Sequence, residues 1–115
     1  MYFDDLRFAD LSGANLANAR LEGIDLTGAN LKNANLTGAD LSFSTLRYTN
    51  FEGADLTSVD FQFANLYSAN LEWTTLTDAN FYDAHLEETT LPNGRMYQFG
   101  DDLITEFGTA SNPSS

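Results

Sequence analysis

His85 is the sole histidine of the chain and belongs to the residue type best suited to proton transfer near neutral pH, yet it stands where neighbouring segments carry Asp or Asn. No cysteine is present, which excludes thiolate nucleophiles, disulfides and cysteine-held metals. Carboxylates are plentiful, Asp40 and Asp60 among them. Acid–base work by such a pair needs a pocket that drives their pKa values apart. No Ser-His-Asp set is evident, and the glycines recur in fives rather than in a phosphate-cradling turn. The reading is therefore non-enzymatic, with no catalytic, cofactor-binding or metal-binding residue. Another class of side chain remains for function: the aromatics Phe43, Phe63, Tyr67 and Tyr82, suited to recognition by apolar contact.

The element that positions all of these is a five-residue unit. Leu or Phe occupies every fifth place from Leu6 to Leu91, with Ala or another small or β-branched residue two places before it and Asp or Asn commonly just before it. Asp4 is the one polar misfit at the small position. A helix turns about 500° in five residues, so these leucines would form no stripe. In an unbroken strand, positions five apart face opposite ways, while the Ala and Leu two apart share a face. Both stay inward in every unit only where the backbone turns a corner once per unit, and a chain that keeps turning in one sense stacks into a coil. Gly13, Gly23, Gly28 and Gly38, with Asn18 and Asn33, fall two places after the leucine, where a corner asks for positive φ.

The Ala-Asp/Asn-Leu-x-x unit resembles that of the pentapeptide repeat proteins, in unbroken phase over residues 4 to 93, and Thr90 to Gly94 resembles the way cyanobacterial members close. The resemblance implies an all-β fold: a right-handed quadrilateral β-helix with one unit per side, about 4.5 coils here, and no enzymatic activity. It also sets residues twenty apart in columns. Asn30, Asn50 and Asn70 then form one outward column expected to pass amide hydrogen bonds from coil to coil, and Lys32 faces Glu52 and Glu72. Phe43 stacks with Phe63 at a corner neighboured by Tyr67 and Tyr82, with Asp40 and Asp60 alongside. These six residues are the expected partner surface.

At 115 residues the chain reads as one domain: a repeat body over 1–94, a capping segment over 95–108 and a disordered tail over 109–115. Within the cap, Asp101 is expected to cap a short helix from Asp102 to Phe107 that Gly108 stops, its apolar residues covering the last coil. Met1, Tyr2 and Phe3 are expected to fold over the first coil, whose strand edge is otherwise open to pairing with another chain, so the chain reads as a monomer or a dimer through an open coil end. The formal charge of −12 argues against direct contact with nucleic acid or anionic membrane. It leaves open basic partners or mimicry of a polyanion. The family resemblance implies a non-enzymatic structural or protein-interaction module; because some members of that family bind DNA gyrase as acidic mimics of duplex DNA, mimicry toward gyrase or another DNA-binding protein is the alternative. No basic-then-apolar leader or spanning segment is evident, and a cytoplasmic location is expected.

Overall fold

The structure, a computed structural model, describes residues 5–113; the expectation for Met1, Tyr2 and Phe3 lies outside them. From Asp5 to Asn70, the residue before each inward Leu or Phe bridges the residue twenty positions on, always in parallel, as Asp5 does with Asp25, Asn35 with Asp55 and Asn70 with Thr90. A register of twenty over a unit of five puts four units in each circuit, so the solenoid is four-sided. Its faces are named here by their first leucine: the Leu6, Leu11, Leu16 and Leu21 faces. Neighbouring circuits are joined through the main chain. The N–H of Leu11 donates to Asn30 O at 2.7 Å, that of Gly13 donates to Lys32 O at 2.9 Å, and Asn30 N–H donates back to Ala9 O at 2.9 Å.

Each corner is a tight turn closed by one further bond, such as Ala29 N–H to Leu26 O at 2.9 Å. The residue two places after the leucine has φ between 54° and 72° at every corner from Phe8 to Glu88, whatever its type, while the residue before it does not have positive φ. That is the pattern of a type II turn. Positive φ was expected of the glycines and asparagines; the bulky residues Phe8, Phe43, Tyr48, Phe63 and Trp73 adopt it as well. Each L residue held there costs about 1–2 kcal/mol, so the turn must be held from outside the residue itself. At Gly28 the exposed Phe8 ring lies over the backbone, and a Cβ there would sit 2.6 Å from Phe8 Cδ1, so the ring would have to shift to admit a side chain.

The Asp or Asn before each leucine supplies part of that hold. Its Oδ1 accepts the N–H two residues on, within the same unit, as Asn30 does from Lys32 (3.0 Å) and Asp55 from Thr57 (3.1 Å). Where the second residue is Ser or Thr, its hydroxyl donates to the same oxygen, at 2.6 Å for Ser42 on Asp40 and 2.7 Å for Thr57 on Asp55. This corrects the expected coil-to-coil amide columns: the side-chain oxygen closes its own turn. Lys32 likewise makes no salt bridge with Glu52 or Glu72 among the described residues.

Inside, Leu26 to Leu71 and the rings of Phe51, Phe61 and Phe81 are sealed from solvent. Phe61 stacks on Phe81 with centroids 4.9 Å apart and meets Phe51 edge-on at 6.1 Å. Where the small inward position carries a hydroxyl, it finds a carbonyl: Thr49 Oγ1 donates to Leu26 O at 2.8 Å and Thr89 Oγ1 to Leu66 O at 2.7 Å. No buried side-chain polar atom among the described residues lacks a partner. The first circuit differs. Leu6 is 37% exposed, and Leu11, Leu16 and Leu21 are only half-buried.

At the far end, Pro92 to Gly94 turn the chain back so that Met96 bridges Thr90 in antiparallel sense and Tyr97 N–H donates to Thr89 O at 2.8 Å. A short helix, α1, spans Leu103–Phe107. Its cap is Asp102, which accepts from Thr105 N–H, and Gly108 ends it with φ 72°. Asp101, the expected cap, is instead held by Arg95 Nη1 (2.8 Å) and the Gln98 N–H (2.7 Å). Leu103 enters the core with Tyr97 and Phe107 packed beside it, whereas Met96, Phe99 and Ile104 stay exposed, so the segment covers the last circuit only in part.

The tail also departs from expectation. Residues 109–113 are not disordered: Asp78 N–H donates to Gly108 O (2.8 Å), Ala110 N–H donates to Ala79 O (2.8 Å), and Thr109 is buried. Ser111 Oγ accepts from Phe81 N–H and donates to Asn80 Oδ1 at 2.7 Å. The tail thus runs along an edge that a further circuit would otherwise pair, satisfying main-chain groups that composition alone does not reveal.

Candidate recognition face

The twenty-residue register sorts the exposed aromatics onto two corners that flank one face. Between them lies the upper Leu6 face, whose outward column reads Thr45, Asn65 and His85. Phe43 and Phe63 stand at the corner leading into this face, stacked with centroids 4.9 Å apart and planes 11° from parallel. Tyr82 meets Phe63 edge-on at 5.7 Å. At the corner leaving the face, Tyr48 and Tyr67 pack edge-on at 5.7 Å, and the Arg47 guanidinium lies over both rings, 5.7 and 5.3 Å from their centroids.

These rings are fixed by backbone rather than by burial. Phe43, Tyr48 and Phe63 occupy left-handed corner positions, where the Cα–Cβ bond is thrown outward; Phe43 is 65% exposed, Tyr48 54% and Tyr82 50%. Stacking from circuit to circuit then locks neighbouring rings, worth about 0.5–1.5 kcal/mol per pair beyond their buried area. Carboxylates border the rings. Ser68 Oγ donates to Glu88 at 3.3 Å, and the Glu88 carboxylate, followed by Tyr48, pushes the Tyr67 phenol above its ordinary range.

The six residues expected from sequence do not form one patch. Phe43, Phe63 and Tyr82 come together as expected. Tyr67 joins a second cluster with Tyr48 and Arg47, across the face. Asp40 and Asp60 bridge each other on the Leu21 face, half-buried, and their carboxylates are occupied by Ser42 and Gln62. The sequence reading missed Tyr48 and Arg47, although the register that aligned Phe43 with Phe63 also aligns Arg47 with Tyr67. Trp73, 72% exposed, stands at a different corner, between the Leu11 and Leu16 faces.

His85 is exposed on the outward column and also borders a cleft of about 270 Å³ beside Leu86, Tyr97 and Phe99 at the C-terminal end. Among the described residues, no three His, Asp or Glu side chains gather as a metal-binding set. No helix there is long and apolar enough to cross a membrane.

The comparisons with known proteins bear on this geometry. A family model described as pentapeptide repeats matches in eight copies, over residues 5–42, 34–72 and 59–93. The chain belongs to the pentapeptide repeat family. With that membership comes the right-handed quadrilateral β-helix to which the twenty-residue register conforms. The chain is similar to the pentapeptide repeat protein Rfr23 from the cyanobacterium Cyanothece 51142, at 36% identity and a TM-score of 0.76, over 82% of this chain and 64% of that one. It thus spans just under two thirds of the length of that relative. It is also similar to alr5209, a pentapeptide repeat protein from Nostoc Pcc 7120, at 30% identity and a TM-score of 0.56, over 90% of this chain and 84% of that one. No curated protein matches the chain.

Proposed function

We propose that this pentapeptide repeat protein is a non-enzymatic interaction module of about four and a half coils, whose recognition surface is the aromatic-walled upper Leu6 face. The observation that carries the reading is the pair of ring clusters on either side of the Thr45–Asn65–His85 column, stiff and solvent-facing where a corner needs only glycine or asparagine. Rigid, exposed aromatics around a polar centre make a suitable anchor for a protein partner. The charge of −12 and the exposed Glu87 and Glu88 beside the rings favour a partner segment bearing Lys or Arg, which would also find the open faces of Phe43 and Tyr82.

Titration with synthetic Lys- and Arg-rich peptides, followed by fluorescence anisotropy, tests this. The native chain is expected to bind a subset of them, and a Phe43→Ser/Phe63→Ser variant to bind these at least 30-fold more weakly, as loss of an aromatic anchor worth about 2 kcal/mol implies. A Trp73→Ser variant should bind as the native chain does. Equal binding by all three would return the rings to a purely structural role. The alternative, acidic mimicry of DNA toward gyrase or another DNA-binding protein, rests on the family resemblance together with the net charge; dose-dependent inhibition of gyrase supercoiling that survives the Phe43→Ser/Phe63→Ser change would favour that reading instead.

A further inference from the structure

Arg47 stands apart from the other arginines. Among the described residues, Arg7 pairs with Asp5 at 2.8 Å, Arg95 with Asp101 at 2.8 Å, and Arg20 approaches Glu22 at 3.8 Å, while Arg47 enters no ion pair. Carboxylates are not scarce, with 17 Asp and Glu against five Lys and Arg. Those in reach along the Leu6 face are otherwise engaged or too far. One circuit below, Asp25 closes its own turn, accepting from Thr27 N–H at 3.0 Å and Thr27 Oγ1 at 2.6 Å. Two circuits above, Glu87 shares the Arg47 column at a distance of two strand spacings, about 10 Å.

The guanidinium lies on rings instead, 5.7 Å from the Tyr48 centroid and 5.3 Å from that of Tyr67, and the two tyrosines lock each other edge-on. Rings attract the cation and hold its plane, while the residue as a whole stays exposed. A guanidinium held in this way has given up much of its rotamer freedom in advance. Its planar fork of N–H donors matches a carboxylate in two parallel bonds.

We propose that Arg47 is an anion-binding anchor of the recognition face, taking an Asp or Glu side chain of the partner segment. This rests on the reading of the upper Leu6 face as a recognition surface, and adds to it the partner's charge pattern and direction. A partner bearing only Lys and Arg would oppose Arg47 with like charge. One bearing only Asp and Glu would meet Glu87, Glu88 and a chain of formal charge −12. A segment of mixed charge satisfies both: its base lies toward Glu87 and Glu88, and its acid lies about 10 Å lower, on Arg47. Laid the other way, the same segment opposes like charges at both ends, so the pair of sites also sets orientation.

The probe is a Lys/Arg-rich peptide that binds the native chain, acetylated and amidated so that its termini carry no charge, with Glu and its neutral isostere Gln scanned through each position. Fluorescence anisotropy should find a position where Glu binds the native chain about tenfold more tightly than Gln. On Arg47→Gln that ratio should fall to about twofold or less, and on Arg47→Glu it should invert. Tyr67→Ala, which removes one ring from the guanidinium, should reduce the ratio to about threefold. Arg20→Gln should leave the ratio as it is. A ratio is insensitive to a general loss of affinity, and circular dichroism on each variant shows that the fold is kept. Equal binding of Glu and Gln peptides at every position, or a Glu preference that survives Arg47→Gln, would overturn this inference and leave the recognition face standing. Failure of every Lys- and Arg-rich peptide to bind the native chain would overturn both.

Discussion

Ser58 offers a clean test of the left-handed corner, because its side chain is exposed and makes no hydrogen bond among the described residues, while its φ is 59°. An L residue held there costs about 1–2 kcal/mol, which glycine avoids. Glycine in turn loses about 0.5–1 kcal/mol more chain entropy on folding than alanine does. The difference leaves Ser58→Gly more stable than Ser58→Ala by about 0.5–1 kcal/mol. At a position without positive φ the order reverses: Ala17, exposed and one place before a corner residue, should lose about 0.5–1 kcal/mol on Ala17→Gly. Urea denaturation followed by circular dichroism reads both comparisons as midpoint shifts at constant slope. An alanine variant more stable than the glycine variant at position 58 would refute the corner argument, and with it the reason that Phe43 and Phe63 point outward.

Two other perturbations address the ends and the turns. Leu103→Ala should cost about 2–5 kcal/mol locally, releasing α1 and speeding amide exchange at Asp78 and Tyr97 while leaving Asn30 and Asn35 protected; a uniform change along the chain would deny the cap a separate role. Acid should also weaken the fold. Hydrogen bonds from the Arg7 side chain and N–H lower Asp5 to about 2, and those from Ser12 and Thr57 hold Asp10 and Asp55 below the usual carboxylate range. The folded chain therefore binds fewer protons than the unfolded one between the ordinary Asp value and these lowered values. That contribution is complete above about pH 4 and is lost as pH falls toward 2. Melting followed by circular dichroism should show a flat Tm from pH 7 to 5 and a decline below about pH 4; a rising Tm in acid would contradict the turn assignment.

The repeat made most of the fold legible, because inward Leu and Phe at a spacing of five admit few shapes, and the columns followed once four units were set to a circuit. What stayed hidden depended on atoms rather than on period. Asn30 and Asp55 turn inward to their own units because the N–H two residues on lies closer than a side chain one circuit away. Tyr67 parted from Phe63 because it sits one residue before its corner, at the far edge of the Leu6 face, within reach of Tyr48 and Arg47. The tail at 109–113 looked featureless because it contributes mainly main-chain partners and one serine hydroxyl, which composition does not reveal. The lead residue of α1 shifted by one because Arg95 and the Gln98 N–H claim the Asp101 carboxylate first.

The placement of both aromatic walls rests on the twenty-residue register, and the absence of cysteine makes that register directly measurable. Paired substitutions Asp55→Cys/Thr75→Cys join two residues that bridge in parallel, at a strand spacing of about 4.8 Å, within disulfide reach. Under mild oxidation this pair should close nearly completely, whereas Asp55→Cys/Asn70→Cys and Asp55→Cys/Asn80→Cys, displaced by one unit either way onto neighbouring faces, should stay reduced. Closure of either displaced pair in preference to the first would contradict the register and the recognition face built on it.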